Sequence, residues 1–408
     1  MIIPRYSKFM SNQSTLTLLI SELPLLRLGF RPFFLGAGIY AVVSVLIWMG
    51  FYVFGVEFTF NGISATLWHA HEMIFGYTLA IMAGFLLTAT QNWTEIRMPH
   101  GYPLLGLWVL WMLARLVPFT GGYLPLELMA AFDILFLISL FISVARPILR
   151  VRQWRQSLVL VILLLLLISN SAFYAGLLYG RPVLMYRGIY SGFYLLIALI
   201  IFMGGRVIPF FIERGVGYPV KLKNRPWLNN ASIGLFLVFW LAEVFLDLPA
   251  VSSGLAAVLA VLHGIRLAGW HTQGIWKKPL LWILFLAYAA LIAGFVLQAM
   301  IVVLDISPFL ALHAFGYAGV GWITLGMICR IIWGHTGRNI AEPPRQLPWV
   351  FGALILGAVF RVGVPLFETS HYVLWIGFSQ LCWILAFGHF LWIYTPVLIQ
   401  PRPDGRDG

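Results

Sequence analysis

The sequence predicts an all-α polytopic membrane bundle of about twelve transmembrane helices; composition, run length and the placement of charge all point to it. Of 408 residues 61% are hydrophobic and only 10% charged, far from the balance of a water-soluble domain. A helix crosses a bilayer with about 20 apolar residues, and runs of that length recur along the whole chain. They are too long and too continuously apolar for the short alternating strands of a barrel.

Each run is bounded by Pro, Gly or charge. Residues 32–54 begin at Pro32 and stop before Gly55, and 68–90 open at Trp68 and run to "QNWT". Residues 102–119 lie between Gly101 and Gly121, and 124–145 end at Arg146. Residues 158–179 follow Arg155 and contain the plainest run, "SLVLVILLLLLIS". Residues 183–210 follow Pro182, and 227–246 and 249–268 are parted by Asp247 and Pro249. Residues 280–303 begin after Pro279, 307–333 stop before Gly334, 347–366 follow Arg345, and 372–399 precede Pro401. The expected organisation is an N-terminal cytoplasmic arm over 1–30, one twelve-helix domain over 31–400, and a cytoplasmic tail over 401–408. The arm lacks the uninterrupted apolar core and small-residue cleavage site of a signal peptide. Cys329 and Cys382 are the only cysteines and both fall inside runs, so neither a disulfide framework nor a CxxC metal site is expected.

A net charge of +12 raises the question of nucleic acid, but its distribution marks sidedness instead. With twelve crossings, 22 of the 26 Lys and Arg residues fall on one side, and only Arg115, Arg181, Arg187 and Arg361 fall on the other. The positive-inside rule then places both termini in the cytoplasm, with the lipid bilayer as the partner and no nucleic acid. One missed or invented helix would scramble the alternation.

Ionisable groups inside such runs cost free energy and point to function. "WHAHEMIFGY" places His69, His71 and Glu72 in the outer turns of the second helix. "LHAF" places His313 roughly 9 Å in from the outer end of the tenth, at 1.5 Å per residue. Three imidazoles therefore share a depth, and neutral imidazole suits haem iron and copper. Residues i and i+2 point apart on a helix, so His69 and His71 are expected to serve different neighbours. The expected axial pair is His71 with His313, His69 being the alternative from the second helix. Glu72 is expected to accept from a ligating imidazole or admit protons. Near the cytoplasmic ends, Arg31, Arg206, His263, His335 and Arg338, with Asn92 and Trp93 of "QNWT", form a second expected polar site for propionates, an anion or a metal.

Together "GFRPFFL", "WHAHEMIFGY", "AGFLLTATQNWT", "GGRVIPFF", "LHAF", "GHTGR" and the tail "PRPDGRDG" resemble the NnrS family, in order and over nearly the full length. The resemblance implies a bacterial inner-membrane protein carrying haem, of b type, and copper, linked to nitric oxide metabolism and nitrosative stress. In one place the chain departs from it: Phe285 in "LWILFLAY" stands where the family leads one to expect a histidine. The architecture invites comparison with haem-copper oxidases and nitric oxide reductases, a fold-level analogy. Their usual copper ligands are missing, because the sixth and seventh runs contain no histidine.

Two functions from different classes follow. The first is a haem protein that handles nitric oxide or a related small molecule, by electron transfer from an unidentified donor, by turnover or by sensing. The alternative is a transporter or permease for a metal or small anion, with the intramembrane His and Arg lining its path.

Overall fold

A computed structural model describes residues 23–406 and is all-helical among them, apart from one isolated bridge between Phe60 and Ile63. Arg5 and Lys8 of the N-terminal arm lie outside the described residues. Twelve helices are long and apolar enough to cross a membrane: α1 (Phe30–Tyr52), α2 (Ala65–Thr94), α3 (Tyr102–Phe119), α4 (Leu126–Arg150), α5 (Trp154–Leu178), α6 (Pro182–Gly215), α7 (Pro226–Leu246), α8 (Pro249–Trp270), α9 (Pro279–Leu304), α10 (Pro308–His335), α11 (Leu347–Leu366) and α12 (Tyr372–Ile399). The expected runs and the helices agree in number and order. The helices extend past the apolar runs because polar residues at membrane ends continue the backbone ladder; α6, for example, carries on through Glu213 and Arg214.

Proline starts most of these helices. α3, α6, α7, α8, α9, α10 and α11 each have Pro in the first two positions, where its missing N–H and fixed φ cost nothing. α2 is capped instead by Ser64, whose Oγ accepts from Leu67 N. Glu95, Asp247 and Asp305 end α2, α7 and α9 in the left-handed region.

Burial divides the helices into two classes. α2 and α10 are 83% buried over their most apolar stretch and α6 72%, against 56% or less for the others. Every fourth helix is thus interior. The three meet one another: Phe75 of α2 packs on Gly192 of α6, and Tyr77 of α2 and Thr324 of α10 share a 2.7 Å hydrogen bond. The remaining helices flank them, consecutive ones packing side by side, and α12 closes against α1, where Trp383 Nε1 donates to Ala41 O at 3.1 Å.

The interior helices α2 and α10 are not regular. Each passes into a π-helical segment, Glu72–Thr78 and Ala314–Val320, beginning at the residue after His71 and after His313. α7 and α11 carry shorter ones, Ala242–Leu246 and Val359–Gly363. A π segment inserts an extra residue per turn and re-aims the side chains around it, and such segments concentrate at functional sites.

Twelve crossings return the chain to the side from which it entered. Cysteine introduced at exposed Tyr123, between α3 and α4, is expected to react with a membrane-impermeant maleimide in intact cells, while cysteine at exposed Arg152, between α4 and α5, reacts only after permeabilisation. Both native thiols are buried and leave a low background. The opposite labelling pattern would invert the topology.

Candidate functional site

At the end of the bundle where α2 begins, α1 to α5 bury a group of charged side chains in direct contact. His71 is 1% exposed, Glu72 0%, Arg115 3% and Asp133 1%. Arg115 of α3 sits between two carboxylates: its Nη2 donates to Asp133 Oδ1 and Oδ2 at 2.5 and 2.6 Å, and its Nε lies 2.9 Å from Glu72 Oε2. Tyr40 of α1 donates to Glu72 Oε2 at 2.5 Å, and Tyr174 of α5 to Asp133 Oδ2 at 2.6 Å. His71 bridges the two acids, with Nδ1 2.9 Å from Glu72 Oε1 and Nε2 3.0 Å from Asn170 Oδ1 and 3.5 Å from Asp133 Oδ2. Both ring nitrogens of His71 are thus engaged by side chains of the cluster. Arg115 meets both carboxylates, the kind of pairing that a buried charge requires. Phe173 stacks on the ring, with centroids 4.7 Å apart.

The π segment of α2 makes room for this cluster. Arg115 Nη1 donates to Phe75 O and Trp111 Nε1 to Gly76 O, so α3 satisfies carbonyls on the irregular turn. Gly76 must lack a side chain there: a Cβ would come within 2.7 Å of Glu72 Oε2 and 2.8 Å of the Tyr40 ring.

His69 turns the other way. Its ring stacks on Trp48 of α1 at 4.4 Å and 6°, and its buried Nδ1 has no hydrogen-bond partner. His313 donates from Nδ1 to Phe309 O at 2.7 Å, while Nε2 accepts from Arg361 Nη2 at 2.8 Å. Arg361, on the π segment of α11, also donates to Tyr372 OH at 2.9 Å. His69, His313 and Arg361 lie within electrostatic reach of one another. The helix geometry that separates i from i+2 holds: His69 stacks on α1, with His313 in electrostatic range, whereas His71 faces α4 and α5. The structure therefore turns His71 and His313 toward different neighbours, because the acids and amide on α2, α4 and α5 already take both His71 nitrogens.

The residues expected to form one cytoplasmic site are divided between separate neighbourhoods. Arg31 donates to Leu398 O and Gln400 O at the end of α12, at 2.6 and 2.9 Å, with Arg338 and Arg402 close enough to feel its charge. His335 packs on Phe30, and its carbonyl accepts from Arg402 Nη1 at 2.9 Å, which ties the tail to α10. His263 belongs with α9: its Nδ1 is 2.5 Å from Tyr288 OH, its ring stacks on Phe295, and its Nε2 is buried without a partner. Arg206 packs on α5 and over the Phe202 ring. Asn92 is exposed, and Trp93 accepts through its carbonyl from Gln153 Nε2. Phe285 lies against His271 and Trp276.

Arg115, Asp133, Tyr40, Asn170, Tyr174 and Arg361 were not among the expected site residues. A signal existed for three of them. Asp133 is an acid inside an apolar run, and Arg115 and Arg361 are two of the four arginines that defy the positive-inside bias. The tyrosines and Asn170 had none, since single polar groups of this kind are common in helices.

Two outcomes follow. Arg115→Met leaves two buried carboxylates without their cation and is expected to destabilise the detergent-solubilised protein by about 3–5 kcal/mol. Adding Asp133→Asn is expected to recover part of that loss in the same thermal unfolding measurement; equal loss in both variants would mean that the charges do not interact. In the tail, hydrogen bonds from Arg402 and the Arg406 amide hold the Asp404 carboxyl down at about 2, below its ordinary value. A carboxylate with a lowered folded pKa stabilises above its unfolded value and loses that contribution as pH falls through about 2. Asp404→Asn is therefore expected to loosen the tail near neutral pH, seen as faster tryptic cleavage at Arg406.

Comparison with curated proteins finds no match to this chain. A family model described as NnrS protein matches residues 24–402, which takes in all twelve helices, the buried outer cluster and both histidine motifs. The chain is thus a multi-pass, all-helical membrane protein and belongs to the NnrS family.

Proposed function

We propose that this chain is a haem-binding membrane protein of nitric oxide metabolism, with His69 and His313 as the haem-holding pair at the outer end of the bundle. The observation that carries the pairing is the state of their ring nitrogens. His69 Nδ1 is buried without a partner. His313 donates Nδ1–H to a backbone carbonyl, the arrangement that orients ligating imidazoles, and its Nε2 accepts from the Arg361 guanidinium, a bond that iron would have to replace. This donor set fits haem iron, which asks for neutral imidazole nitrogens. It suits copper less, because the described residues contain no group of three or more His, Cys, Asp and Glu able to hold a metal ion.

Haem would supply an iron that binds nitric oxide and exchanges electrons. The protein's own residues then have separable tasks. Arg361, fixed by Tyr372, is a donor suited to a propionate. Trp48 excludes water from one face of His69. The His71–Glu72–Arg115–Asp133 cluster has every member in contact with the next, so it can hold or pass a proton beside the site without leaving a naked charge.

A visible spectrum of the purified protein tests this reading. A Soret band that His69→Ala and His313→Ala each remove or convert, and that shifts when nitric oxide is added to the reduced protein, is the expected result. His71→Gln is expected to keep the band and lower stability. Folded protein expressed with ample haem but showing no Soret band would favour the permease reading, for which the buried charges of α2 to α5 are the specific support.

A further inference from the structure

We propose that the cavity between the cytoplasmic-side ends of α5, α6, α7 and α8 binds a phosphate-bearing anion. The cavity is about 750 Å³ and far larger than the spaces left by ordinary packing. Arg155, Arg206 and Arg266 line it, and no acidic residue among the described ones does. Three guanidinium groups around one cavity repel one another, and their charge calls for an anion.

The cations are held in place. Arg206 donates from Nη1 to Gln156 Oε1 at 3.1 Å and from Nη2 to Arg155 O at 3.2 Å, and stacks 4.0 Å above the Phe202 ring. Arg266 is only 3% exposed; its Nη1 donates to Tyr288 OH at 3.0 Å, yet its Nε is buried without a partner. α6 makes space for it with Gly205, where a Cβ would fall on the guanidinium. A buried arginine that meets a phenol and aromatic rings but no carboxylate, beside an open cavity, is a donor waiting for an acceptor.

Position and lining narrow the ligand. Arg155 and Gln156 stand at the start of α5, Asn229 and Asn230 one turn into α7, and Arg266 one turn from the end of α8, which is headgroup depth. Leu158, Phe202 and Ile233 give the cavity an apolar wall beside the charge. Guanidinium pairs match the oxygens of phosphate, and the apolar wall matches an ester substituent. An anionic phospholipid headgroup and free phosphate share this chemistry.

The test uses the full chain, delipidated in detergent, and reads its thermal unfolding midpoint, which a ligand bound only to the folded state raises. Short-chain phosphatidylglycerol, short-chain phosphatidylcholine and inorganic phosphate are the probes. A rise with phosphatidylglycerol alone supports the site with a lipid source, and a rise with inorganic phosphate as well supports it with a free phosphate source. In either case Arg206→Gln, which removes a cavity-rim cation without emptying the core, is expected to abolish the rise. Arg266→Gln, if folded, should do the same. No rise with either anion, an equal rise with phosphatidylcholine, or an undiminished rise in Arg206→Gln would overturn the proposal.

Discussion

The placement of Arg115 between Glu72 and Asp133 constrains the half of the molecule in which α2 begins. A guanidinium in a membrane interior is tolerated only with its charge met and its donors used. Here that requirement engages five helices: α2 and α4 bring the carboxylates, α3 the arginine, and α1 and α5 the phenols that complete the acceptors. In lipid no hydrophobic drive separates helix from solvent, so polar contacts and close packing fix which helix faces which. The cluster fixes the mutual rotation of α1 to α5 in this way, and everything that α2 presents elsewhere follows from it.

His69 illustrates the consequence. Once Glu72 and His71 are committed to α3, α4 and α5, the residue two positions earlier must point to the opposite side, against Trp48 and toward α10. α10 repeats the device, with His313 just ahead of its own π segment, and α11 contributes Arg361 from a third. Three irregular turns therefore surround one small region at that end of the bundle. A straight α-helix carries its side chains at fixed angles, and the inserted residues of these turns provide the change of direction that neighbouring functional groups need.

The other end of the bundle follows a different rule. Positive charge is plentiful there and carboxylates are few, so arginines end on carbonyls, phenols and aromatic faces: Arg31 on the terminal turn of α12, Arg330 over Phe211, Arg266 on Tyr288. Many of these contacts set sidedness. The cavity ringed by Arg155, Arg206 and Arg266 differs because its charges converge on open space. Acid is matched with base at the end where α2 begins, and cation is left in excess at the opposite end.

The sequence by itself determined the fold class, the number and order of the helices and their family, because these depend on properties summed over twenty residues or over several motifs at once. It also placed His69, His71, Glu72 and His313 at one depth, since depth along a helix is a count of residues. Direction around the helix was another matter. A turn or two of π-helix changes it without any mark in composition, so only the tertiary structure decided that His69 rather than His71 looks toward His313. The same holds for Asp133, Asn170 and Tyr174, whose roles come from helices four and five meeting helix two. It holds again for Arg31 and Arg206, alike in sequence terms, which different neighbours separate into a tail anchor and a cavity wall. Contacts between distant segments carry that information, and a single chain read in order contains no direct record of them.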